Sequence, residues 1–482
     1  MLNKLKKASP IIFIIALSFI IRLVNLNQSL WLDEAAQAIE SSRPFSQQLN
    51  IVGDFQPPLL HYIVHFFYQI SSTDWFLRLP SVIAGVITIV FAYKITKYLF
   101  NKQIALIAGL LGATSSYHYY FSQELRQYSL AAMWAAISMW YFIKWINSKK
   151  DKISWGYIFS TSAGMYSMYV FPFLIIYQLI YVLLSVSKKS VSFIKQLLII
   201  SLIFAPWLPM FIKQLKTGMS LKENFAGWAT AVSLPWAKSL PLTAIRFIIG
   251  MIPVELTIFQ IILFLALFSA IIYFIKPIIK SKSIKPIIFW LLAPVLLSFL
   301  FSFFIPVLEP KRVMFVLPAF WIILAAGLHQ HKSKNILISL VLLAQIIFLG
   351  IHMTSPSLKR ENWKQAVKFV QDSLHQNKAV IFAFPGDFAP WTWYQKDIKN
   401  EVPHYATKTL TVPSISYLDQ ALGKSLDYET IFVFEYLMDL SDPHRYVFSW
   451  LKLHDYTNTE IKDFHGVGFI HIYQKNVPLA LK

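Results

Sequence analysis

Cysteine is absent from this chain of 482 residues, which excludes disulfide bonds, thiolate catalysis and cysteine-ligated metal sites. Charged residues are scarce as well, because they make up 14% of the chain where a soluble domain carries about 25%. Acidic residues are the scarcer kind, since 24 of them stand against 44 basic residues and leave a net charge of +20. The shortage of charge excludes an ordinary soluble enzyme, so the positions of the basic residues must explain the positive balance.

Hydrophobic residues make up 56% of the chain, and the mean hydropathy is +0.52. They occur in blocks of the length that a bilayer-crossing helix needs, which is roughly 20 residues. The first block follows a basic N-terminus, as in a signal peptide, but no small-residue cleavage site comes after it, so we predict an uncleaved helix. The sequence predicts eleven transmembrane helices, near residues 10–27, 78–99, 103–119, 125–146, 154–168, 170–187, 192–212, 256–275, 286–305, 313–329 and 335–353.

Clusters of lysine separate alternate apolar blocks, a pattern that sets the orientation of a membrane protein and does not indicate nucleic-acid binding. With the N-terminus in the cytoplasm, only one predicted outer connection, 213–255, is an exception with four lysines. If 154–187 were one helix kinked near Pro172, the last three lysine clusters would lie outside, so we predict two helices there. The lysines predicted to be cytoplasmic are Lys4, Lys6, Lys7, Lys94, Lys97, Lys102, Lys144, Lys149, Lys150, Lys152, Lys188, Lys189, Lys195, Lys276, Lys280, Lys282, Lys285, Lys332 and Lys334.

The C-terminal part of the chain is richer in charge and contains no span. We therefore predict a transmembrane domain at 1–354, with its first outer loop at 28–77, and a small outer α/β domain at 355–482. Asp442 fits a helix N-cap and Pro443 a first helical position. The apolar face of an earlier helix consists of Trp363, Val367, Val370 and Leu374. The predicted elements of the outer domain are helices at 362–376 and 443–453 and strands at 379–384, 430–434 and 466–473.

The first outer loop carries two adjacent carboxylates, Asp33 and Glu34, just past the first helix. One interpretation is structural, because acidic residues stabilise the first turn of a helix. The other is a general base held at the membrane surface, which contributes roughly 10²–10⁴ in rate when it reaches a hydroxyl.

Polar residues recur later in the same loop, before and after a proline pair at 57–58. Asp54 and Gln56 precede the prolines, and His61 lies in a predicted amphipathic helix, 59–70, at the membrane surface. We take all three residues as candidates for a substrate site. A structural role for the segment is the simpler alternative.

The second outer turn reads Ser-Gln-Glu-Leu-Arg-Gln-Tyr and is predicted to open a membrane helix with Glu124, Arg126 and Tyr128. A third outer segment brings Lys311 and Arg312 to the start of a late helix, on the side where cations are less expected. Snorkelling and headgroup anchoring are the simple interpretations. The alternative is a polar substrate site in which the cations bind phosphate oxygens.

These motifs, in this order, resemble the GT-C fold glycosyltransferases, in particular the bacterial relatives of protein O-mannosyltransferases and aminoarabinose transferases. The similarity covers nearly the whole chain. It includes Arg22-Leu23 in the first helix, the Asp-Glu pair, the Pro-Pro-Leu at the start of a surface helix and the Ser-Gln-Glu-x-Arg-x-Tyr turn. A late basic pair and an outer C-terminal domain complete it. The resemblance implies a multi-pass protein of the cell membrane that acts on its outer side.

The resemblance also implies an activity, which is inverting transfer of a sugar from a polyprenyl phosphate to a glycan, lipid or protein acceptor. Asp33 would be the catalytic base, with Glu34 in the polar network beside it. The carrier phosphate would be bound by Arg126, Lys311 and Arg312. Gln56 departs from the family, where His or Lys precedes the prolines. No metal is assumed, although a divalent ion is left open.

Other classes make different predictions. A transporter or flippase would more often show inverted repeats and a site at the middle of the membrane, whereas the ionisable residues here cluster on one face. A ligase that uses a lipid diphosphate would carry long outer loops rich in Arg and His. The aromatics Trp391, Trp393 and Tyr394 are open to two interpretations, acceptor binding or packing within the outer domain.

Overall fold

The chain folds into two compact units, which we call the membrane unit and the sheet unit. The membrane unit consists of Met1–Leu26, Arg43–Met219 and Ser233–Leu358, and the sheet unit of Asn27–Ser42, Ser220–Val232 and Lys359–Lys482. The predicted helix start at 256 and helix end at Gln376 lie outside the described residues. A computed structural model describes residues 2–224, 234–252, 258–375, 377–385, 388–396 and 401–476.

Helices account for most of the described residues, and their ends follow local sequence signals. The side chain of Asn101 accepts a hydrogen bond from the backbone amide of Ile104 at 2.9 Å and so caps a helix. Pro80 and Pro172 each occupy a first helical turn, where a missing N–H costs nothing. In chain order the α-helices are α1 (Leu2–Leu23), α2 (Leu32–Ser42), α3 (Leu59–Tyr68), α4 (Asp74–Leu77), α5 (Leu79–Leu99), α6 (Lys102–Thr114), α7 (Ser116–Ser122), α8 (Tyr128–Ile146), α9 (Trp155–Met165), α10 (Pro172–Ser185), α11 (Ser190–Phe204), α12 (Leu208–Asn224), α13 (Trp236–Ile249), α14 (Ile258–Ile275), α15 (Lys285–Phe301), α16 (Leu317–Gln330), α17 (Lys334–Thr354), α18 (Trp363–Asp372), α19 (Ala389–Gln395), α20 (Ile415–Leu422), α21 (Met438–Ser441) and α22 (Tyr446–Leu453).

Four helical stretches among the described residues have the length and apolar composition to cross a membrane. Shorter apolar helices of 10–17 residues accompany them, so the predicted total of eleven crossings stays a prediction. Helices α9 and α10 are separate, and the alternative of one helix kinked at Pro172 is wrong. The described residues of the connection predicted at 213–255 are largely helical, because α12 runs to Asn224 and α13 covers Trp236–Ile249. The four long stretches are Asp74–Leu99, Tyr128–Ile146, Ser187–Ser220 and Lys334–Thr354.

Small residues bring the helices of the membrane unit close together. A Cβ atom on Gly112 of α6 would come within 2.9 Å of the indole of Trp321 on α16, so only glycine fits there. In a membrane, where apolar lipid removes the hydrophobic drive for association, such close packing stabilises helix pairs. Four alanines of α8 are fully buried, namely Ala131, Ala132, Ala135 and Ala136.

Arg22, from the Arg-Leu pair of the first helix, is a structural anchor. Its guanidinium is fully buried and donates to the carbonyl oxygens of Ser18 at 3.0 Å and Gly112 at 3.3 Å. It also lies 2.8 Å from Nδ1 of His118 on α7. A buried guanidinium is tolerated when carbonyl and imidazole acceptors surround it, so Arg22 ties α1 to α6 and α7.

The sheet unit contains a five-stranded mixed sheet with the order β2-β1-β3-β5-β4. The two predicted strands that begin at 379 and 430 are confirmed, because each is an apolar run buried on both faces. The last strand starts two residues later than predicted, at Gly468 with a φ of 82°, because Gly466 adopts a positive φ of 72° in the preceding turn. The strands are β1 (Lys378–Pro385), β2 (His404–Thr407), β3 (Thr430–Phe434), β4 (Tyr456–Phe464) and β5 (Gly468–Lys475).

Helices cover both faces of this sheet, and alternate residues of each strand point to opposite layers. Phe432 and Phe434 of β3 pack with Trp363 of α18 on one face. Ile431 and Val433 pack with the α20 and α22 side chains on the other. Of the aromatics that were open to two interpretations, Trp391 and Tyr394 pack in the first core, and Trp393 is buried as well. Their burial favours the packing interpretation, and acceptor binding stays a prediction.

Several element ends differ from the sequence predictions. Helix α18 ends at Asp372, so Leu374 lies beyond it and is 96% exposed instead of completing the apolar face. Helix α22 begins at Tyr446, three residues after the predicted Pro443. Asp442 still caps it, because its carboxylate oxygens accept the amides of Tyr446 and Val447 at 2.9 Å each. Strands β2 and β4 were not predicted, since β2 is short and β4 is largely charged and exposed.

Lys378 closes the C-terminal end of α18, and its loss is expected to destabilise the sheet unit. Its Nζ donates to the carbonyl oxygens of Val370 and Gln371 at 2.8 Å and to both oxygens of Ser373 at 2.9 Å. A cation at these orphan carbonyls is favourable, so we expect Lys378→Met to cost about 1–2 kcal/mol. Thermal unfolding of the full chain in lipid nanodiscs measures this. The exposed Lys424→Met is the control, and equal melting temperatures for the two variants would contradict the capping role.

Candidate active site

The membrane unit holds a buried ionic cluster centred on Asp54. One carboxylate oxygen of Asp54 lies 3.3 Å from the guanidinium of Arg126, and the other lies 3.0 Å from Nε2 of His61. The side-chain amide of Gln56 donates to the same carboxylate. Burial raises the pKa of Asp54, but the charge of Arg126 and the contact with His61 outweigh burial and hold that pKa below its ordinary value. Four of the predicted site residues therefore meet in one place.

The loop conformation that presents Asp54 is built by its neighbours. Phe55 adopts a positive φ of 35°, which turns the chain between Asp54 and the proline pair. The buried side-chain amide of Gln214 on α12 donates to the carbonyl oxygens of Ile51 and Gln56. Helix α3 then begins at Leu59, directly after the prolines, and carries His61 back onto the carboxylate. The predicted helix at 59–70 is thus confirmed, with its end at Tyr68.

The second outer turn lies between α7 and α8, and its polar residues have distinct partners. The amide of Gln123 donates to the carbonyl oxygens of Arg22 at 2.9 Å and Val24 at 2.5 Å, which fixes the turn to the end of α1. Helix α8 starts at Tyr128, so Glu124 and Arg126 lie in the turn and not in the helix that they were predicted to open. Glu124 is buried in this turn. Held in this way, Arg126 can reach Asp54.

The third outer segment carries its own counter-ion. Glu309 pairs with Lys311 at 3.4 Å and with Arg312 at 3.4 Å, so the three side chains together carry one net positive charge. Both cations precede α16 and the single turn before it, instead of starting the helix as predicted. Their side chains are about one third exposed. Lys311 also lies over the ring of Tyr128, 5.8 Å from its centroid, which connects this segment with the second outer turn.

Arg246 is a cation of the membrane unit that the sequence did not single out. It lies in α13, and its guanidinium donates to the carbonyl oxygens of Gly250 at 3.1 Å and Ile252 at 2.9 Å. Its neighbour Phe247 lies 5.9 Å from Tyr117 between ring centroids, and the hydroxyl of Ser116 donates to the carbonyl oxygen of Ile249 at 3.3 Å. Helix α13 therefore packs against α7, which leads into the second outer turn. No motif in the sequence marks Arg246, because it sits inside an apolar run.

The sheet unit holds the Asp-Glu pair in the first turn of α2. Glu34 is fully buried, lies 3.8 Å from the guanidinium of Arg360 and accepts the backbone amide of Trp31 at 3.4 Å. The segment before α2 is anchored by Leu30, whose amide donates to the hydroxyl of Tyr394 at 2.6 Å. Asp33 is partly exposed in the same turn. The two adjacent carboxylates therefore differ, since Glu34 has a buried cation partner while Asp33 reaches the surface.

A third carboxylate, Glu361, joins this group, although nothing in the sequence marked it. It accepts the indole N–H of Trp363 at 2.7 Å and the hydroxyl of Tyr436 at 3.0 Å. Burial raises the pKa of Glu361 to about 7, the two hydrogen bonds oppose that rise, and the charges of Asp33 and Glu34 add to it. Only its position next to Arg360, at the end of the basic linker, could have drawn attention to it.

The chemistry available to each unit follows from these groups. In the membrane unit, Arg126, Lys311 and Arg312 offer guanidinium and ammonium donors suited to phosphate oxygens. Asp54 and His61 are of the residue types that bind divalent metals, but Asp54 already has Arg126 as a charge partner. In the sheet unit, Asp33 offers a carboxylate that can accept a proton.

Comparisons with known proteins place the fold. The model of the family described as dolichyl-phosphate-mannose-protein mannosyltransferase matches residues 55–210. No curated protein matches the sequence. Among solved structures, ArnT from Cupriavidus metallidurans in the apo state is similar with a TM-score of 0.60 and 10% identity, over 97% of this chain and 98% of that chain.

Two further solved structures contain a lipid phosphate. ArnT bound to undecaprenyl phosphate gives a TM-score of 0.58 at 9% identity, over 98% of this chain and 99% of that chain. The archaeal oligosaccharyltransferase AglB from Archaeoglobus fulgidus was solved in complex with an inhibitory peptide and a dolichol-phosphate. It gives a TM-score of 0.52 at 13% identity, over 99% of this chain and 75% of that chain. The chain thus has the fold of the GT-C membrane glycosyltransferases, and residues 55–210 carry its match to the mannosyltransferase family.

Proposed function

We propose that this protein is an integral membrane glycosyltransferase that moves a sugar from a polyprenyl phosphate to an acceptor on the outer side of the cell membrane. The observation that carries the proposal is Arg126, a nearly buried guanidinium held by Asp54 in an outer turn. A guanidinium forms its strongest hydrogen bonds with carboxylate and phosphate oxygens. ArnT and AglB, which share the fold, were solved with undecaprenyl phosphate and dolichol-phosphate, so a lipid phosphate is the ligand we assign to Arg126.

In the proposed reaction, Asp33 takes the proton of an acceptor hydroxyl or amine. The acceptor atom forms a bond to the anomeric carbon while the bond from that carbon to the phosphate oxygen breaks. The electron pair of the broken bond leaves with the phosphate, and the configuration at carbon inverts. Arg126, Lys311 and Arg312 stabilise the charge on the departing polyprenyl phosphate. No strong general acid is needed, because the phosphate is already a good leaving group.

Lys311 and Arg312 suit the role of phosphate ligands because Glu309 holds them without burying them. Their side chains are 34% and 38% exposed, which leaves donors able to turn towards a ligand. Glu309 lowers their combined charge from two to one, so the released carrier is not bound too tightly to leave. We assign Gln56, His61, Glu124 and Tyr128 to the polar walls of the donor site. A glycan, a lipid and a protein each qualify as the acceptor, since each offers a hydroxyl or amine.

The proposal is tested with wild-type protein in lipid nanodiscs and radiolabelled undecaprenyl-phosphate sugars. The panel contains one hexose, one pentose and one amino-pentose, each also supplied on undecaprenyl diphosphate. We expect slow transfer to water, measured as soluble label, from at least one monophosphate and from none of the diphosphates. Release from diphosphates alone would indicate ligase chemistry. Movement of intact donor across a proteoliposome membrane without release would indicate a flippase.

A further inference from the structure

The loop that precedes α3 is held by a chain of hydrogen bonds that begins outside the loop. The indole N–H of Trp207 donates to the hydroxyl of Tyr169 at 2.9 Å. That hydroxyl donates its own proton to the side-chain oxygen of Gln214. The amide nitrogen of Gln214 then donates to the carbonyl oxygens of Ile51 at 2.5 Å and Gln56 at 3.2 Å. Each donor in this chain therefore has an acceptor, and donation runs from the indole to the loop.

The direction of these bonds fixes the orientation of the Gln214 amide. Because the hydroxyl of Tyr169 accepts from an indole, its own proton is left for the amide oxygen. In the reversed orientation that oxygen would face two carbonyl oxygens, which cannot donate. Gln214 is 1% exposed, so bulk water does not reach it to replace a lost donor. The amide therefore has one favourable orientation, in which its N–H groups face the loop.

The two carbonyl groups that Gln214 binds lie on either side of Asp54 in the chain. The carbonyl oxygen of Ile51 also accepts the backbone amide of Asp54 at 3.3 Å, which closes a tight turn. On the other side, the side chain of Gln56 donates to the Asp54 carboxylate. Gln214 thus binds the two residues that hold the backbone and the carboxylate of Asp54.

Helix α12 holds the same loop at a second point. Phe55 has a φ of 35°, which is a strained conformation for a residue other than glycine. Its ring lies against Gly218 of α12, where a Cβ atom would come within 3.3 Å of that ring. Gly218 follows Gln214 by one helical turn, so both lie on one face of the helix. Strained backbone persists only where the surrounding structure fixes it, and α12 provides that support here.

We propose that Gln214 is a positioning residue for the donor site, which holds the Asp54 carboxylate against Arg126 and so orients the guanidinium for the carrier phosphate. This inference rests on the proposed function, because it takes Arg126 as a phosphate ligand. The carboxylate and the guanidinium are 3.3 Å apart. A carboxylate that moves away from its guanidinium keeps its negative charge, which then repels an anionic ligand. Gln214 therefore strengthens carrier binding by keeping Asp54 paired.

The test measures the Kd of undecaprenyl phosphate in lipid nanodiscs and introduces Gln214→Met into two backgrounds, wild type and Asp54→Asn. Methionine matches glutamine in length but has no N–H group to donate. We expect Kd to rise about tenfold in the wild-type background, the size of one charge-assisted hydrogen bond to phosphate. In the Asp54→Asn background the same change should alter Kd less than about twofold, since no charge is left to misplace. A variant whose only defect is lower stability would bind less well in both backgrounds.

A matched control is Gln178 of α10, which forms the same kind of buried pair with partners in α8 and α9. It is fully buried, accepts the hydroxyl of Tyr157 at 2.8 Å and donates to Ser138 at 3.4 Å. Gln178→Met should lower the melting temperature and leave Kd unchanged. Tyr169→Phe removes only the hydroxyl that orients the Gln214 amide, so its Kd should rise less, again in the wild-type background alone. This milder variant provides the same comparison if Gln214→Met does not fold.

Three outcomes would overturn the inference. They are an unchanged Kd in Gln214→Met, equal effects of Gln214→Met in the two backgrounds, and an equal loss of binding in Gln178→Met. The proposed function would still stand in each case if Arg126→Gln weakens binding of the carrier. Wild-type binding by Arg126→Gln would instead remove Arg126 as a phosphate ligand, and the inference would fall with that part of the proposed function.

Discussion

Replacing Asp33 with asparagine is expected to lower the release of sugar from a polyprenyl phosphate by about 10²–10⁴, the contribution of a well-placed general base. Asparagine keeps the size of the side chain and its place in the first turn of α2 but cannot accept a proton. Binding of undecaprenyl phosphate should not change, because the variant leaves every assigned phosphate ligand in place. The measurement is soluble label released per minute from nanodisc-embedded protein, together with the Kd of the carrier.

The alternative for Asp33 makes a different prediction. If it only stabilises the first turn of α2, Asp33→Asn would cost about 0.3–1 kcal/mol of stability and leave the rate of release unchanged. The control is Asp439→Asn, which alters an aspartate of the same unit that is 90% exposed and pairs with Arg445. Equal release from Asp33→Asn and wild type would mean that another group is the base, and the donor class would still stand on the wild-type result.

A double-mutant cycle on Asp54 and Arg126 is expected to separate folding from phosphate binding. Both side chains are nearly buried, at 13% and 10% exposure, so Arg126→Gln leaves a carboxylate without its main charge partner. Breaking such a pair costs about 3–5 kcal/mol. Asp54→Asn should also destabilise the protein. The double variant should recover a large part of the loss, because two neutral amides can hydrogen-bond to each other. Thermal unfolding in nanodiscs measures the loss of stability in the two single variants and in the double variant.

Binding of undecaprenyl phosphate should follow a different pattern across the same variants. We expect it to weaken at least tenfold in both variants that lack Arg126, since one charge-assisted hydrogen bond to phosphate contributes about 1.5–3 kcal/mol. It should be retained in Asp54→Asn, which removes a negative charge from the site. A double variant that is stable and still binds the carrier like wild type would show that Arg126 is not a phosphate ligand. Arg445→Gln, which alters a cation of the sheet unit, is the control for overall charge.

The stability of the protein is also expected to depend on pH through Asp54. The pKa of Asp54 in the folded protein lies below its ordinary value, so the carboxylate contributes stability above that ordinary value and loses it as the pH falls. Without Arg126 the folded-state pKa rises, because burial is then opposed only by His61 and Gln56. Arg126→Gln should therefore lose the remaining contribution at a higher pH than wild type during acid unfolding.

Glu361 is a buried carboxylate that the sequence alone could not single out. A glutamate before a helix is common, and neither its neighbours Arg360 and Trp363 nor its spacing distinguishes it. Its importance depends on Tyr436, which is brought to it by the sheet, and on Gly466, which leaves room for it. Tyr436 and Gly466 lie 75 and 105 positions after Glu361 in the chain, separations at which local pattern carries no information. Arg246 was not predicted as a site residue because it lies within an apolar run that reads as a helix.

The sequence by itself determined the membrane class, most helices, the buried strands β1 and β3, and the connecting segments that carry the ionisable residues. These features depend on local hydrophobic runs, caps and prolines, which act over a few residues. The tertiary structure alone decided which charges pair. Asp54 meets Arg126 across 72 positions, Glu34 meets Arg360, and Lys311 and Arg312 share Glu309. Burial strengthens these pairings, because the dielectric surroundings of a side chain are set by the whole fold and not by its neighbours in sequence.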